Sequence, residues 1–191
     1  MTASVFRYGA LLRGINVGGH RVKMDHLRTL FDALGYADVQ TLIASGNVIF
    51  SSDSEDSSAL QAEIETHLLA ELGYEVATFI RTHEELAAVV SLTDDLPPTA
   101  FDSESDEDPV GACYVVFLAD PPDADVCARF QAASSATDDF QVVGREVYWR
   151  LPGKISDSPL FGREFDRMTK GVISTTRNLT TVRKLLAKLA G

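Results

Sequence analysis

Between residues 5 and 81 the apolar period alternates between that of strands and that of helices. The order of alternation is what most limits the fold. Phe6 to Leu12 is a short apolar run suited to a buried strand. Met24, Leu27, Phe31 and Leu34 then fall on one helical face, and Gly35 ends it. Val39 to Ala44 and Val48 to Phe50 are β-prone runs around Ser45-Gly46-Asn47, a hairpin signature. Ser58 with Gln61 resembles a capping box ahead of a helix through Leu60, Ile64, Leu68 and Leu72, stopped by Gly73. Glu75 to Arg81 reads as a strand, and Thr82 with Glu85 caps a further short helix. The order is βαββαβ, the split-βαβ or ferredoxin-like unit.

The second half repeats that order more faintly. Cys113 to Leu118 is a continuously apolar strand, followed by a helix over 124–133. Phe140 to Val143 and Val147 to Leu151 form a hairpin around Gly144-Arg145. Ser158 to Met168 reads as a short helix and Val172 to Thr175 as a short strand. Asn178 caps a last helix striped by Val182, Leu185, Leu186 and Leu189. The expected fold class is α+β, with two ferredoxin-like βαββαβ-type units whose mixed or antiparallel sheets carry helices on one face. Between the halves lies Asp94 to Pro109, with seven carboxylates, three prolines and one aromatic. Such a stretch cannot bury enough apolar surface to offset its ordering entropy. The expected division is 1–91 as an N-terminal ferredoxin-like unit, 92–110 as an acidic linker and 111–191 as a C-terminal α+β unit.

The net charge of −11 over 191 residues is unevenly spread. Residues 1–28 sum to +4, residues 29–144 to −21 and residues 145–191 to +6. The total therefore describes the acidic middle and disfavours a long nucleic acid, which is held by Lys and Arg. A phosphate-bearing small molecule stays in play. Apolar runs fall short of the ~20 residues a membrane helix requires, so no membrane partner is expected. The first residues show no signal core, and the two cysteines, Cys113 and Cys127, lack metal or redox spacing. A cytoplasmic location is the expectation. His20, His26, His67 and His83 have no ligand spacing, so no metal and no cofactor are expected.

One segment could carry chemistry. Leu11 to Lys23 places Gly14, Gly18 and Gly19 with Arg13, His20, Arg21 and Lys23 between a strand and a helix. Glycines let backbone N–H groups converge, and a helix N-terminus adds partial positive charge, which together suit an anion. The segment is neither a P-loop nor G-x-G-x-x-G. Split-βαβ topology further sets the end of the first strand beside the hairpin of the next two. It gathers Arg13, Gly14 and Asn16 with Ser45, Gly46 and Asn47, and Lys23 at the helix head. The competing reading is a wide turn in which both asparagines satisfy backbone. The same edge argument groups Trp149, Arg150, Leu151 and Pro152 with Thr175, Thr176, Arg177 and Asn178. There a core tryptophan and a capping asparagine compete with a ligand platform. No activated Ser or Cys and no general base stand out, so catalytic residues are unassigned and enzymatic activity is undecided. Donors abound, and a reaction, if present, would draw on oxyanion stabilisation.

The runs ALLRGINVGGHRVKM, ALG, SGNVIF and TTRNLTTVRKL closely resemble the bacterial family catalogued as domain of unknown function 1697. The resemblance runs from Tyr8 to Leu189 and implies an α+β fold with ferredoxin-like elements, with no activity attached. Carried over by position, its polar signature falls on Arg13, Gly14, Asn16, Gly18, Gly19, Lys23, Ser45, Gly46, Asn47, Thr176, Arg177 and Asn178. Family members often have an aromatic after that last asparagine, where this chain has Leu179. The functional expectation is an uncharacterised cytosolic protein that binds a small anionic, phosphate- or carboxylate-bearing ligand at the Arg13, Asn16 and Ser45–Asn47 rim. The alternatives are a non-catalytic interaction module acting as a homodimer, and nucleic-acid association through the two basic ends.

Overall fold

The computed structural model describes residues 5–16, 18–42, 46–97 and 112–191. Strands β1 (Phe6–Leu12), β2 (Ala37–Leu42), β3 (Asn47–Ser52) and β4 (Thr78–Thr82) form a first sheet in the order β2-β3-β1-β4. Every neighbouring pair in it is antiparallel. Helix α1 (Met24–Ala33) joins β1 to β2, and α2 (Ser57–Leu72) joins β3 to β4. This is the split-βαβ order that the alternation of periods implies, and both sheets are wholly antiparallel rather than mixed.

Strand parity explains the first core. Tyr8, Ala10 and Leu12 point to one face, where they meet Phe50 and Ile80 and pack with Leu27 and Phe31 of α1. Leu60, Ile64 and Leu68 of α2 close the same layer. Each such side chain, fully buried, contributes roughly 1.5–3 kcal/mol. Helix α2 ends at Gly73, as its sequence suggests, but its cap stands two residues before Ser58. Asp56 is the cap, its carboxylate accepting from the Ser58 and Ala59 amides. Helix α3 (His83–Asp95) is longer than expected. Its reciprocal box is intact: the Thr82 amide donates to Glu85, and the Glu85 amide donates to the Thr82 hydroxyl. The opposite face of the sheet is covered too. Cδ1 atoms of Leu86 in α3 and Leu189 lie 3.6 Å from where a Cβ on Gly9 would stand.

The second sheet is β6-β7-β5-β8, built from β5 (Ala112–Leu118), β6 (Asp139–Val143), β7 (Glu146–Leu151) and β8 (Ser174–Asn178). Helix α4 (Ala124–Ala133) follows β5. A 3-10 turn (Ile155–Asp157) and α5 (Arg163–Met168) separate β7 from β8, and α6 (Leu179–Leu189) follows β8. Val116, Leu118, Val147, Trp149 and Leu151 pack against Val126 and Phe130 of α4 and Met168 of α5. The register repeats between sheets although the residues do not. Tyr8 lies opposite Phe50 and Thr82, and Tyr114 lies opposite Trp149 and Asn178. Each tyrosine hydroxyl binds backbone shortly after the third strand of its unit, at Ser54 and Ile155.

The chain forms two compact units, Met1–Ala88 with Arg183–Gly191, and Val89–Val182. The acidic stretch begins inside α3, which runs to Asp95, and residues 98–110 of the expected linker lie outside the described residues. Among the described residues no helix is long and apolar enough to cross a membrane.

Candidate functional site

The start of the β1–α1 loop is tied down on both sides. The Leu12 amide donates to the Gly46 carbonyl at 2.7 Å, and the Arg13 amide to the Ala77 carbonyl at 2.8 Å. Leu11 faces Asn47 across the β1–β3 ladder, so Arg13 and Gly14 emerge beside the β2–β3 hairpin as the topology argument requires. Gly46 has a positive φ of 76° and no space for a Cβ, which would stand 2.6 Å from Ile15 Cγ2. A side chain there is barred twice over, by conformation and by the neighbouring loop.

The two asparagines have backbone work. Asn47 is completely buried, and its amide donates to the Leu42 carbonyl at 3.1 Å, closing the hairpin it begins. Asn16 Oδ1 accepts from the Val22 amide at 2.6 Å and so folds the glycine-rich loop back on itself. Gly18 and Gly19, with φ of 63° and 91°, make the turn between those two anchors. Ser45 lies outside the described residues.

Beyond Asn16 the loop surrounds an open depression of about 890 Å³, walled by Asn16, Gly19, His20, Arg21, Lys23 and Met24. Arg13, Arg21 and Lys23 are exposed and engage no carboxylate among the described residues. The nearest acid in sequence, Asp25, is occupied by Arg28 in an ion pair. Lys23 is the N-cap residue of α1 and makes no side-chain capping bond, which leaves the first amides of the helix without one. Local charge and local donors therefore point the same way.

Sequence reasoning missed Tyr74. It sits in the α2–β4 connection, packs against the first core and donates its hydroxyl to the Ile15 carbonyl at 2.9 Å. Partial burial raises its pKa. The His20 ring stacks on it with centroids 3.8 Å apart and planes 23° from parallel. A tyrosine just past a helix-stopping glycine carried the only available signal, and the partner is 54 positions away.

Thr176, Arg177 and Asn178 belong to the second sheet and the second unit. Arg177 is buried, its guanidinium donating to the Thr175 hydroxyl and the Thr176 carbonyl. Burial disfavours its charged form and lowers its pKa to about 10. Asn178 accepts from the Thr180 amide and caps α6. Trp149 is fully buried, stacked on Phe165 and donating its indole N–H to Asp138 at 2.8 Å, so it serves the core. The structure thus brings Asn16, Gly19 and Lys23 to one depression and sets Arg13, Gly14, Gly46 and Asn47 along the adjoining sheet edge.

Comparison with known proteins places these features in a wider set. The family model described as Protein of unknown function (DUF1697) matches residues 5–148, a stretch that includes the glycine-rich loop and the hairpin and ends before Thr176. A solved structure, conserved bacterial protein SP0830 from Streptococcus pneumoniae, is similar with a TM-score of 0.70 and 24% identity. The likeness covers 98% of this chain and 100% of that one, so the two-unit α+β fold is shared over its whole length. No curated protein matches.

Proposed function

The chain belongs to the DUF1697 family, and we propose that it binds a small phosphate- or carboxylate-bearing ligand at the depression between the glycine-rich loop and the start of α1. The observation that carries this reading is the exposure of Arg21 and Lys23 at a helix start without a side-chain cap. Arg13 is exposed on the adjoining sheet edge, and none of the three engages a carboxylate among the described residues. Arg21 and Lys23 supply charge at the depression, the first amides of α1 supply directed donors, and Arg13 steers from the sheet edge. Asn16 and Asn47 act as positioning residues that hold the loop and hairpin in shape. The two free cysteines suit a reducing compartment, and we place the site in the cytosol.

A thermal-shift titration with inorganic phosphate and with a dicarboxylate tests this, run on the wild type and on a Arg21→Ala, Lys23→Ala double variant. A ligand at a hundredfold excess over its Kd raises stability by about 2.7 kcal/mol. The expected result is a saturable rise in the wild type and none in the variant. Equal rises in both would be the general salting effect of phosphate and would overturn the proposal.

A further inference from the structure

We infer that the ligand of this depression carries its anion on a flat aromatic ring, the chemistry of a mononucleotide, with His20 as the surface on which that ring stacks. The inference rests on the anion reading above and adds the class of molecule.

Tyr74 is held at both ends, its ring against the first core and its hydroxyl on the Ile15 carbonyl. It therefore offers a fixed plane at the margin of the loop. His20 lies flat on that plane, yet the residue as a whole is exposed and is among those lining the depression. One face of the imidazole is covered by tyrosine, which leaves the other for a third ring. Neither ring nitrogen has a hydrogen-bond partner among the described residues. Arg21 and Lys23 line the same depression.

Size and charge narrow the class further. An open volume of about 890 Å³ is on the scale of pockets for whole organic ligands and far exceeds what a bare phosphate fills. The net charge of −11 disfavours an extended polyanion, which is held by Lys and Arg, and favours a single nucleotide over a strand. Base–aromatic stacking tolerates any base, so the arrangement selects a flat ring rather than one sequence letter.

Calorimetric titrations at low salt separate the possibilities, using inorganic phosphate, ribose 5-phosphate, AMP and a short oligoadenylate. The proteins are the wild type, His20→Ala and His20→Phe. We expect AMP to bind the wild type at least tenfold more tightly than ribose 5-phosphate. His20→Ala should erase that preference while leaving ribose 5-phosphate unchanged, and His20→Phe should keep it. Equal affinity of the wild type for AMP and ribose 5-phosphate would overturn the inference and leave the anion reading standing. A His20→Ala variant weakened equally for all ligands would reduce His20 to a loop support and also overturn it. An oligoadenylate tighter than AMP would replace the mononucleotide by a strand. Absence of binding by every probe would remove both readings together.

Discussion

The two β–α loops at equivalent places in the two units differ in how they treat the helix that follows. After β1 the chain offers three glycines, Arg13, His20, Arg21 and Lys23, and enters α1 with no side-chain cap. After β5 it offers Ala119-Asp120-Pro121-Pro122-Asp123, and Asp123 accepts from the Val126 amide to cap α4. One loop supplies its own carboxylate as the helix cap; the other brings Arg21 and Lys23 to a start that has no side-chain cap. The same scaffold position is satisfied by its own side chain in the second unit and is not in the first. A family resemblance in fold could not have separated them; the cap residue does.

The hairpins make the sharpest test of that contrast. Gly46→Ala meets both a left-handed backbone and Ile15 at 2.6 Å, and should cost about 3 kcal/mol. Gly144→Ala in the corresponding β6–β7 hairpin has φ of 59° but nothing nearer than 3.8 Å, and should cost about 1 kcal/mol. Urea midpoints of the two variants check the pair; equal losses would mean that the loop of the first unit is not pinned by its hairpin. Next in size, Asp138→Ala should lose about 2 kcal/mol by the same measurement. It strands the Trp149 indole N–H and the Ser158 hydroxyl in the second core.

Exchanging the caps addresses the comparison directly. Asp123→Ala should destabilise by about 1 kcal/mol, an ordinary cap loss. Lys23→Asp should do the reverse, stabilising α1 by roughly 0.5–1 kcal/mol while abolishing the response to phosphate. A Lys23→Asp protein that melts higher and still responds to phosphate would separate the uncapped helix from any anion. The smallest effect expected is alkaline. Burial, helped by Glu63, raises the pKa of Tyr36 in the first unit, and burial, helped by Glu146, raises that of Tyr148 in the second. Both phenols are neutral in folded and unfolded chains below the ordinary value of 10.0, so stability is flat there. Above it the unfolded chain ionises first and stability falls as pH rises. Tyr36→Phe should flatten that fall, read as the melting temperature between pH 9 and about 11.

How far the sequence could be read follows from where each decision is made. The bounds of β1 and α4 fall where the pattern sets them, because both are continuous periodic runs closed by turn residues. The cap of α2 moves to Asp56 because three oxygen-bearing residues stand in a row, and only the backbone geometry chooses among them. Strand β4 starts at Thr78 and β8 extends to Asn178, edges that tertiary pairing with β1 and β5 determines. At the site, the convergence of Arg13 with the hairpin was legible from topology alone. Period could not show that Asn47 points inward, and no local signal could pair His20 with Tyr74.

The covering of Gly9 by Leu189 sets a clock on synthesis. The segment Arg183–Gly191 belongs to the unit that begins the chain, and about 180 residues separate the glycine from the leucine above it. At ~5–20 residues per second a ribosome takes on the order of ten seconds or more to deliver that leucine. Throughout that interval the first sheet, already able to pair its strands, has one apolar face incompletely roofed.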